Sequence, residues 1–293
     1  MIPVLFVVTI LVFSIIRFIP GEPARLILGE KATEEAVAAL TEKLGLNEPL
    51  LLKQIFTLDF GNSFTYQMPV SELLASRFPV TLALTLMSTV ISLVISLPLG
   101  YFAGVHKDRL GDQVVRTTSL VAISMPSFWV GLLLMIVFAL KLKWLPAGGW
   151  SDTLLGQFRC LILPAVTQSL MTSALLLRNT RNSVVDITRM DYVDFARSKG
   201  ITSGEVRTRH VMRNAMISTV TLLSMRMAAM LGGSVIIETV FSVPGIGKLA
   251  SDAIFGRDYA VVQYVVLLFA VLVLVINLIT DILYSFLDPR VNL

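Results

Sequence analysis

The chain has 293 residues, 55% of them hydrophobic and 15% charged, with a mean hydropathy of +0.78, which is far more apolar than a water-soluble domain tolerates and places it in a bilayer. Its 24 Lys and Arg exceed its 20 Asp and Glu by four, and the excess sits largely in one loop between apolar stretches, so membrane topology explains it better than nucleic acid does. One cysteine, Cys160, excludes an internal disulfide framework and a thiol-rich metal site.

Six apolar windows are long enough to cross about 30 Å of hydrocarbon. The first, Ile2 to Ile19, has no basic stretch before it and no small-x-small cleavage pattern after it, so it reads as a span rather than a signal peptide. The segment from Pro20 to Phe78 carries five basic and eight acidic residues and suits the outer face. Within it Thr33 can cap a short helix with Glu34 and Glu35 in its first turn, Val37, Leu40 and Leu44 on one face and Gly45 as the stop. That helix either helps dock an external binding protein or packs over the mouth of the spans. Spans two and three, Val80 to Val105 and Thr117 to Leu140, are joined by a short loop carrying Lys107, Arg109 and Arg116. Span four, Leu161 to Leu177, is short and holds Thr167, Gln168, Ser169, Thr172 and Ser173, so it is expected to face protein rather than lipid.

The loop from Arg178 to Asn214 contains eight Lys or Arg and four acids. Span five, Ala215 to Ile237, and span six, Ala260 to Phe286, follow it. The basic residues place both short and long loops in the cytoplasm, and an even span count then puts both termini inside. No Gly/Ser linker, low-complexity tract or internal repeat interrupts the chain. The reading is one all-α membrane domain, residues 1–293, with an extracytoplasmic insertion at 20–78 and a cytoplasmic loop at 178–214.

Within the long loop Asp191 to Lys199 is helix-compatible, and Gly200 can take the left-handed conformation that ends a helix. Thr202 and Glu205 make a capping box for a second helix to about Arg213. Ala196 and Gly200 lie four apart, where small side chains let another surface approach closely. Asp191 and Asp194 near the first start, and Arg207, Arg209 and Arg213 toward the second end, agree with the helix dipoles.

Charge inside a span is costly and marks a path or a partner. Arg226 sits in the middle of span five and Glu238 lies twelve residues on, about 18 Å along a straight helix, so the two cannot pair. Gly232 and Gly233 between them allow a bend or close packing with another subunit. Arg226 either faces a translocation path or pairs structurally with a neighbouring span; Glu238 reads as a hydrogen-bonding group at the mouth. Asn277 and Asp281, four apart, read as a polar packing cluster in the last span. The methionines 212, 216, 225, 227 and 230 read as flexible apolar packing rather than a metal relay.

DYVDFARSKG and RHVMRNA, running from Asp191 to Ala215, resemble the EAA loop of bacterial ABC importer permeases in the branch that moves dipeptides, oligopeptides, glutathione and nickel. The likeness extends through IPGEPARLILGE, DFGNSF, ISMPSFWVGLLL, LGGSVIIETVFSVPGIGKL, RDYAVVQ and NLITDILYSFLDPR, in that order. It implies a type I importer permease with six helices. Its coupling positions would be Asp191, Tyr192, Asp194, Phe195, Ala196, Lys199, Gly200, Glu205 and Arg209, seated against a cytoplasmic ATPase. Separately from the resemblance, the charges and glycines within span five make Arg226, Gly232, Gly233 and Glu238 the candidate residues of a translocation path. The resemblance also implies a second permease subunit of different sequence, one or two ATPase subunits and an external solute-binding protein, in the bacterial inner membrane. The chain departs from the pattern in starting without a basic stretch, which suggests a late start or trimmed end. The connection at Leu51 to Leu58 is shorter than usual, Ser218 stands in place of a proline, and Val243 in place of a tryptophan.

The residues themselves call for an outside source of energy. Gly245 to Leu249 reads GIGKL, without the spacing or the hydroxyl of a phosphate-binding loop, so ATP and magnesium belong to the partner ATPase and no cofactor or metal is expected here. An ion-coupled transporter would show inverted repeats and midspan acids, and a membrane protease a buried histidine, whereas His106 and His210 fall in loops. A peptide substrate ranks ahead of nickel or a nickel chelate, because a fixed cation at Arg226 attracts a carboxylate and repels a bare metal ion.

Overall fold

The computed structural model describes residues 60–287, with Val7, residues 33–35 and Ala38; beyond residue 280 it describes the side chain of Ile282 alone. The first expected span lies outside the described residues apart from Val7. Glu34, Glu35 and Ala38 are helical, and the rest of the expected external helix lies outside the description.

Eight helices follow in the described part: α1 (Val70–Val105), α2 (Leu110–Ser124), α3 (Ser127–Lys141), α4 (Leu154–Thr188), α5 (Asp191–Ser198), α6 (Ser203–Val240), α7 (Ile246–Phe255) and α8 (Tyr259–Leu287). Four of them, α1, α4, α6 and α8, are long and apolar enough to cross a membrane, and α2 with α3 makes a fifth if taken together. That expected third span is not straight: α2 and α3 meet at 102°. Pro126 causes the break, since it lacks an N–H to give the preceding turn and forces Met125 out of the helical region, to φ −87° and ψ 132°.

The chain divides into two compact units, one from residues up to Thr81 with Pro244–Leu274, the other from Leu82–Val243 with Val275–Leu293. In the first, Val70, Leu73 and Leu74 at the start of α1 pack with Ile246, Leu249 and Ala253 of α7 and Val261, Tyr264 and Val265 of α8. Asp258 ties this unit together. Its buried carboxylate caps α8 through the Val261 N–H and also accepts from the Ser63 hydroxyl at 2.5 Å and the Thr65 N–H at 3.0 Å. The DFGNSF and RDYAVVQ stretches are therefore two halves of one hydrogen-bonded knot.

In the second unit α4 is the most enclosed span: 72% of its apolar window is buried, against 28% for α6, so α4 is the post about which its neighbours pack. The polar residues of α4 face inward as expected, with Thr167, Gln168, Ser169, Thr172 and Ser173 all buried. Gln168 bonds to neighbouring helices in place of water: its Nε2 donates to the Met230 carbonyl at 2.8 Å and its Oε1 accepts from Ser88, while Ser92 donates to the Ser169 carbonyl; the Thr167 and Ser169 hydroxyls bond back to carbonyls within α4. About three turns further along α4 the hydroxyls of Thr180 and Thr219 meet at 3.0 Å, and Ser183 meets Ser218 at 2.6 Å. Ser218, where the family pattern led to a proline, thus joins α4 to α6.

Two features of this unit went unread in the sequence. Gly100 and Gly104 form a small-xxx-small pair that lets α1 lie against α4; a Cβ on Gly104 would fall 2.7 Å from Val184 Cβ. Arg181, counted only as a topogenic charge, makes a bidentate pair with the buried Asp112 of α2. A third close approach seats the chain after α3 on the end of α6: the Gly149 N–H donates to the Phe241 carbonyl at 2.9 Å, where Gly148 has no room for a Cβ.

Candidate functional site

The long loop is shorter and stiffer than its sequence suggested. α4 continues to Thr188, ten residues past the expected start of the loop at Arg178, because Thr180, Arg181, Ser183 and Val184 bond or pack against neighbouring helices, which outweighs the modest helix propensity of this stretch. The second coupling helix is not a separate rod either. Thr202 caps its start by accepting the Glu205 N–H at 3.4 Å, and the helix then runs through seven residues of wider turns, Val206–Met212, directly into the fifth span as α6.

α5 hangs between these two long helices. Gly200, at φ +79°, ends it: the Gly200 N–H donates to the Arg197 carbonyl at 2.9 Å and the Ile201 N–H reaches back to the Ala196 carbonyl at 3.3 Å. This pair of bonds is the Schellman termination, which needs a residue at positive φ and so favours glycine.

The two sides of α5 do different things. Val193 and Ala196 are buried in a cluster with Val184 and Ile187 of α4 and Val206, Val211 and Ala215 of α6, edged by Tyr101, Val105 and Ile201. Ala196, expected on the approach surface, instead packs against this chain's own core; its small size admits α5 to α4 and α6. The opposite side shows Phe195 at 60% and Tyr192 at 40% exposure. Lys199 sits 4.5 Å over the Phe195 ring, Asp194 pairs with Arg197 at 3.1 Å, and Glu205 pairs with Arg209 at 3.6 Å. Asn214 of α6 donates to the Tyr192 hydroxyl at 3.0 Å, which orients that ring. α5 is thus held to α4 and α6 by an apolar anchor on one face and leaves an aromatic face open on the other.

The expected path residues separate into two groups. Along α6, Met225, Ala229, Gly232, Gly233 and Ile236 lie on one open stripe at helical spacing, and nothing in the chain comes within 4 Å of a Cβ added at either glycine. Arg226 flanks this stripe, half-buried, and makes no hydrogen bond or ion pair among the described residues. Glu238 is fully buried on the other side, at the turn where the Val243 N–H bonds its carbonyl, so it does not face the open stripe.

Long apolar helices joined by buried hydroxyls, carrying a short helix between two of them, define a polytopic helical membrane protein. The chain belongs to the family of binding-protein-dependent transport system inner membrane components, whose model matches residues 96–293; the N-terminal model of the same membrane components matches residues 1–59. It is accordingly the permease subunit of an ABC importer, with ATP hydrolysis in separate subunits. It is 38% identical over 300 residues to a peptide transport system permease protein of Brucella suis biovar 1 (strain 1330), covering 99% of this chain and 96% of that protein. It is also 38% identical over 298 residues to the glutathione transport system permease protein of Salmonella choleraesuis (strain SC-B67), covering 100% and 96%. The inward-facing MetNI methionine ABC transporter shares the fold, with a TM-score of 0.61 at 18% identity over 74% of this chain and 96% of that one.

Proposed function

We propose that this chain passes di- and oligopeptides across the inner membrane and takes its driving force through α5 and the start of α6. The observation that carries the coupling role is the two-sided build of α5, with Val193 and Ala196 locked to α4 and α6 and Phe195, Tyr192 and Lys199 left open. Closure of a cytoplasmic ATPase, where ATP and magnesium are used, pushes on the open aromatic face, and the buried face turns that push into a rigid movement of the two spans. Asp191, Asp194, Gly200, Glu205 and Arg209 complete this surface. Residues 1–293 work as one permease domain, with 20–78 outside, 178–214 inside and both termini in the cytoplasm.

The peptide assignment is supported by the peptide and glutathione permeases that share 38% identity over nearly the full chain, and by Arg226. An uncommitted cation beside the open stripe of α6 favours a substrate bearing a carboxylate. A second permease of related but different sequence covers that stripe and closes the path. An external receptor delivers the substrate and sets selectivity, and a binding screen on it identifies the ligand.

The coupling assignment is tested in the assembled importer with Gly200→Leu. The left-handed backbone at Gly200 disfavours a branched side chain and nothing nearby would clash with it, so the chain inserts while the lever loses its termination and the ATPase no longer co-purifies. Unchanged co-purification and ATP-driven uptake would overturn the assignment.

A further inference from the structure

We propose that the cleft between α2 and α4 binds the phosphodiester head of an anionic phospholipid. The cleft measures about 290 Å³ and has a charged end and an apolar end. Lys107, Arg116, Arg178 and Arg181 surround the charged end, against a single lining acid, Asp108. Two of these cations are committed: Arg181 to Asp112 at 2.6 and 3.0 Å, and Lys107, weakly, to Asp108 at 3.8 Å. Arg116 and Arg178 are exposed and make no hydrogen bond or ion pair among the described residues, so two guanidinium groups stand ready for a phosphate.

The apolar end is formed by Leu120, Ile123 and Leu177. On α2 one turn separates Arg116 from Leu120, and on α4 Arg178 directly follows Leu177, so each wall passes from charged to apolar within a single turn. A free inorganic anion would use the charged end alone. A molecule with an anionic head and hydrocarbon immediately behind it uses both, and the surplus of cations selects it over a zwitterionic head. The cleft lies at the same end of its unit as the α5 lever, since Val105 and Val184 belong to the cluster that holds α5. Its inner-leaflet placement rests on the cytoplasmic reading of the lever. A lipid held there would brace α2 against α4 beside the moving part.

The test is native mass spectrometry of the intact importer taken from nanodiscs of phosphatidylcholine with added phosphatidylglycerol. The wild type is expected to retain phosphatidylglycerol, R116Q/R178Q to lose it by roughly fivefold for each cation removed, and R116K/R178K to keep most of it. Neither arginine makes a hydrogen bond or ion pair within the described residues, and Asp112, which also feels the Arg116 charge, keeps its bidentate pair with Arg181, so the variants fold; an unchanged elution profile verifies this. Equal retention by R116Q/R178Q, or equal retention of phosphatidylcholine, would overturn the proposal. Displacement of the lipid by inorganic phosphate alone would show that the apolar wall contributes nothing and would overturn it too. Loss of the ATPase from R116Q/R178Q with lipid retention unchanged would assign the basic rim to a subunit contact instead. Phe195→Ala uncouples the lever without touching the cleft, so failure of the coupling role and failure of the lipid site are read separately.

Discussion

The carboxylate of Asp112 on α2 takes two parallel hydrogen bonds from the Arg181 guanidinium on α4, at 3.0 and 2.6 Å, and a third from the Asp108 N–H at 2.9 Å. The acid is fully buried while 12% of the arginine side chain is exposed at the cleft it helps line, so the carboxylate has no water to fall back on. Removing one member strands the other. Asp112→Ala is expected to cost about 3–5 kcal/mol, seen as a lowered thermal midpoint of the detergent-solubilised protein. Replacing both together, as D112L/R181M, should recover most of that loss, since an apolar pair needs no desolvation. A single variant as stable as the wild type would show that the pair does not hold α2 to α4.

Glycines on two helices should behave in opposite ways. A Cβ on Gly104 would meet Val184 Cβ at 2.7 Å and the Arg181 carbonyl at 3.0 Å, and the backbone cannot yield without parting α1 from α4. Gly104→Ala is expected to destabilise the solubilised chain by about 1–3 kcal/mol. Gly232→Ala, with nothing within 4 Å, should leave it unchanged or add up to about 1 kcal/mol from helix propensity. If Gly232→Ala nonetheless lowers recovery of the two-permease complex, the open stripe of α6 is the face that the second subunit covers. Equal midpoints for the two variants would contradict the close approach at Gly104.

Much of this architecture was legible in the sequence where one residue has one physical use. Gly200 was expected to end a helix because positive φ favours glycine there, and it does so; Thr202 was expected to cap the next one, and it does. The hydroxyls and amide of α4 were expected to face protein because lipid cannot satisfy them, and they do. Proline was not readable in this way. Pro126 breaks a span while Pro164 sits buried within an unbroken α4, so the residue type alone does not tell the two apart. Hydropathy windows also missed the last turns of α4, where Arg181 belongs to a buried ion pair, because apolar counting stops at the first charge. The direction faced by Ala196 depends on a tertiary contact with Val184 and Val206, which spacing alone leaves open. The small-xxx-small signal at Gly100 and Gly104 was present but went unused.

The two sides of α5 separate stability from coupling. Val193 is fully buried in the cluster that fixes the lever, so Val193→Ala should cost about 2 kcal/mol and loosen α5 from α4 and α6. Phe195 points outward, so Phe195→Ala should leave the thermal midpoint of the isolated chain within about 0.5 kcal/mol of the wild type. In the reconstituted importer the ranking reverses for ATPase recovery: Phe195→Ala should release the ATPase on purification, whereas Val193→Ala retains it but transmits less, measured as ATP hydrolysed per solute imported. A Phe195→Ala importer that keeps its ATPase and its transport ratio would remove α5 from the contact.

Arg226 provides the sharpest test of the substrate class. It is half-buried beside the open stripe of α6 with no partner among the described residues, so Arg226→Ala removes a charge without stranding another one, and assembly with the ATPase should be unaffected. If the guanidinium receives a peptide carboxylate, uptake of a free peptide should fall in proteoliposomes while uptake of the same peptide with an amidated C-terminus changes little, because the amide never had the ionic contact to lose. Arg226→Lys keeps the charge but not the planar fork, and should fall between the two. Equal loss for free and amidated peptides would point to a packing role. Wild-type uptake kinetics for both would take Arg226 off the path altogether and leave the peptide assignment resting on the relatives alone.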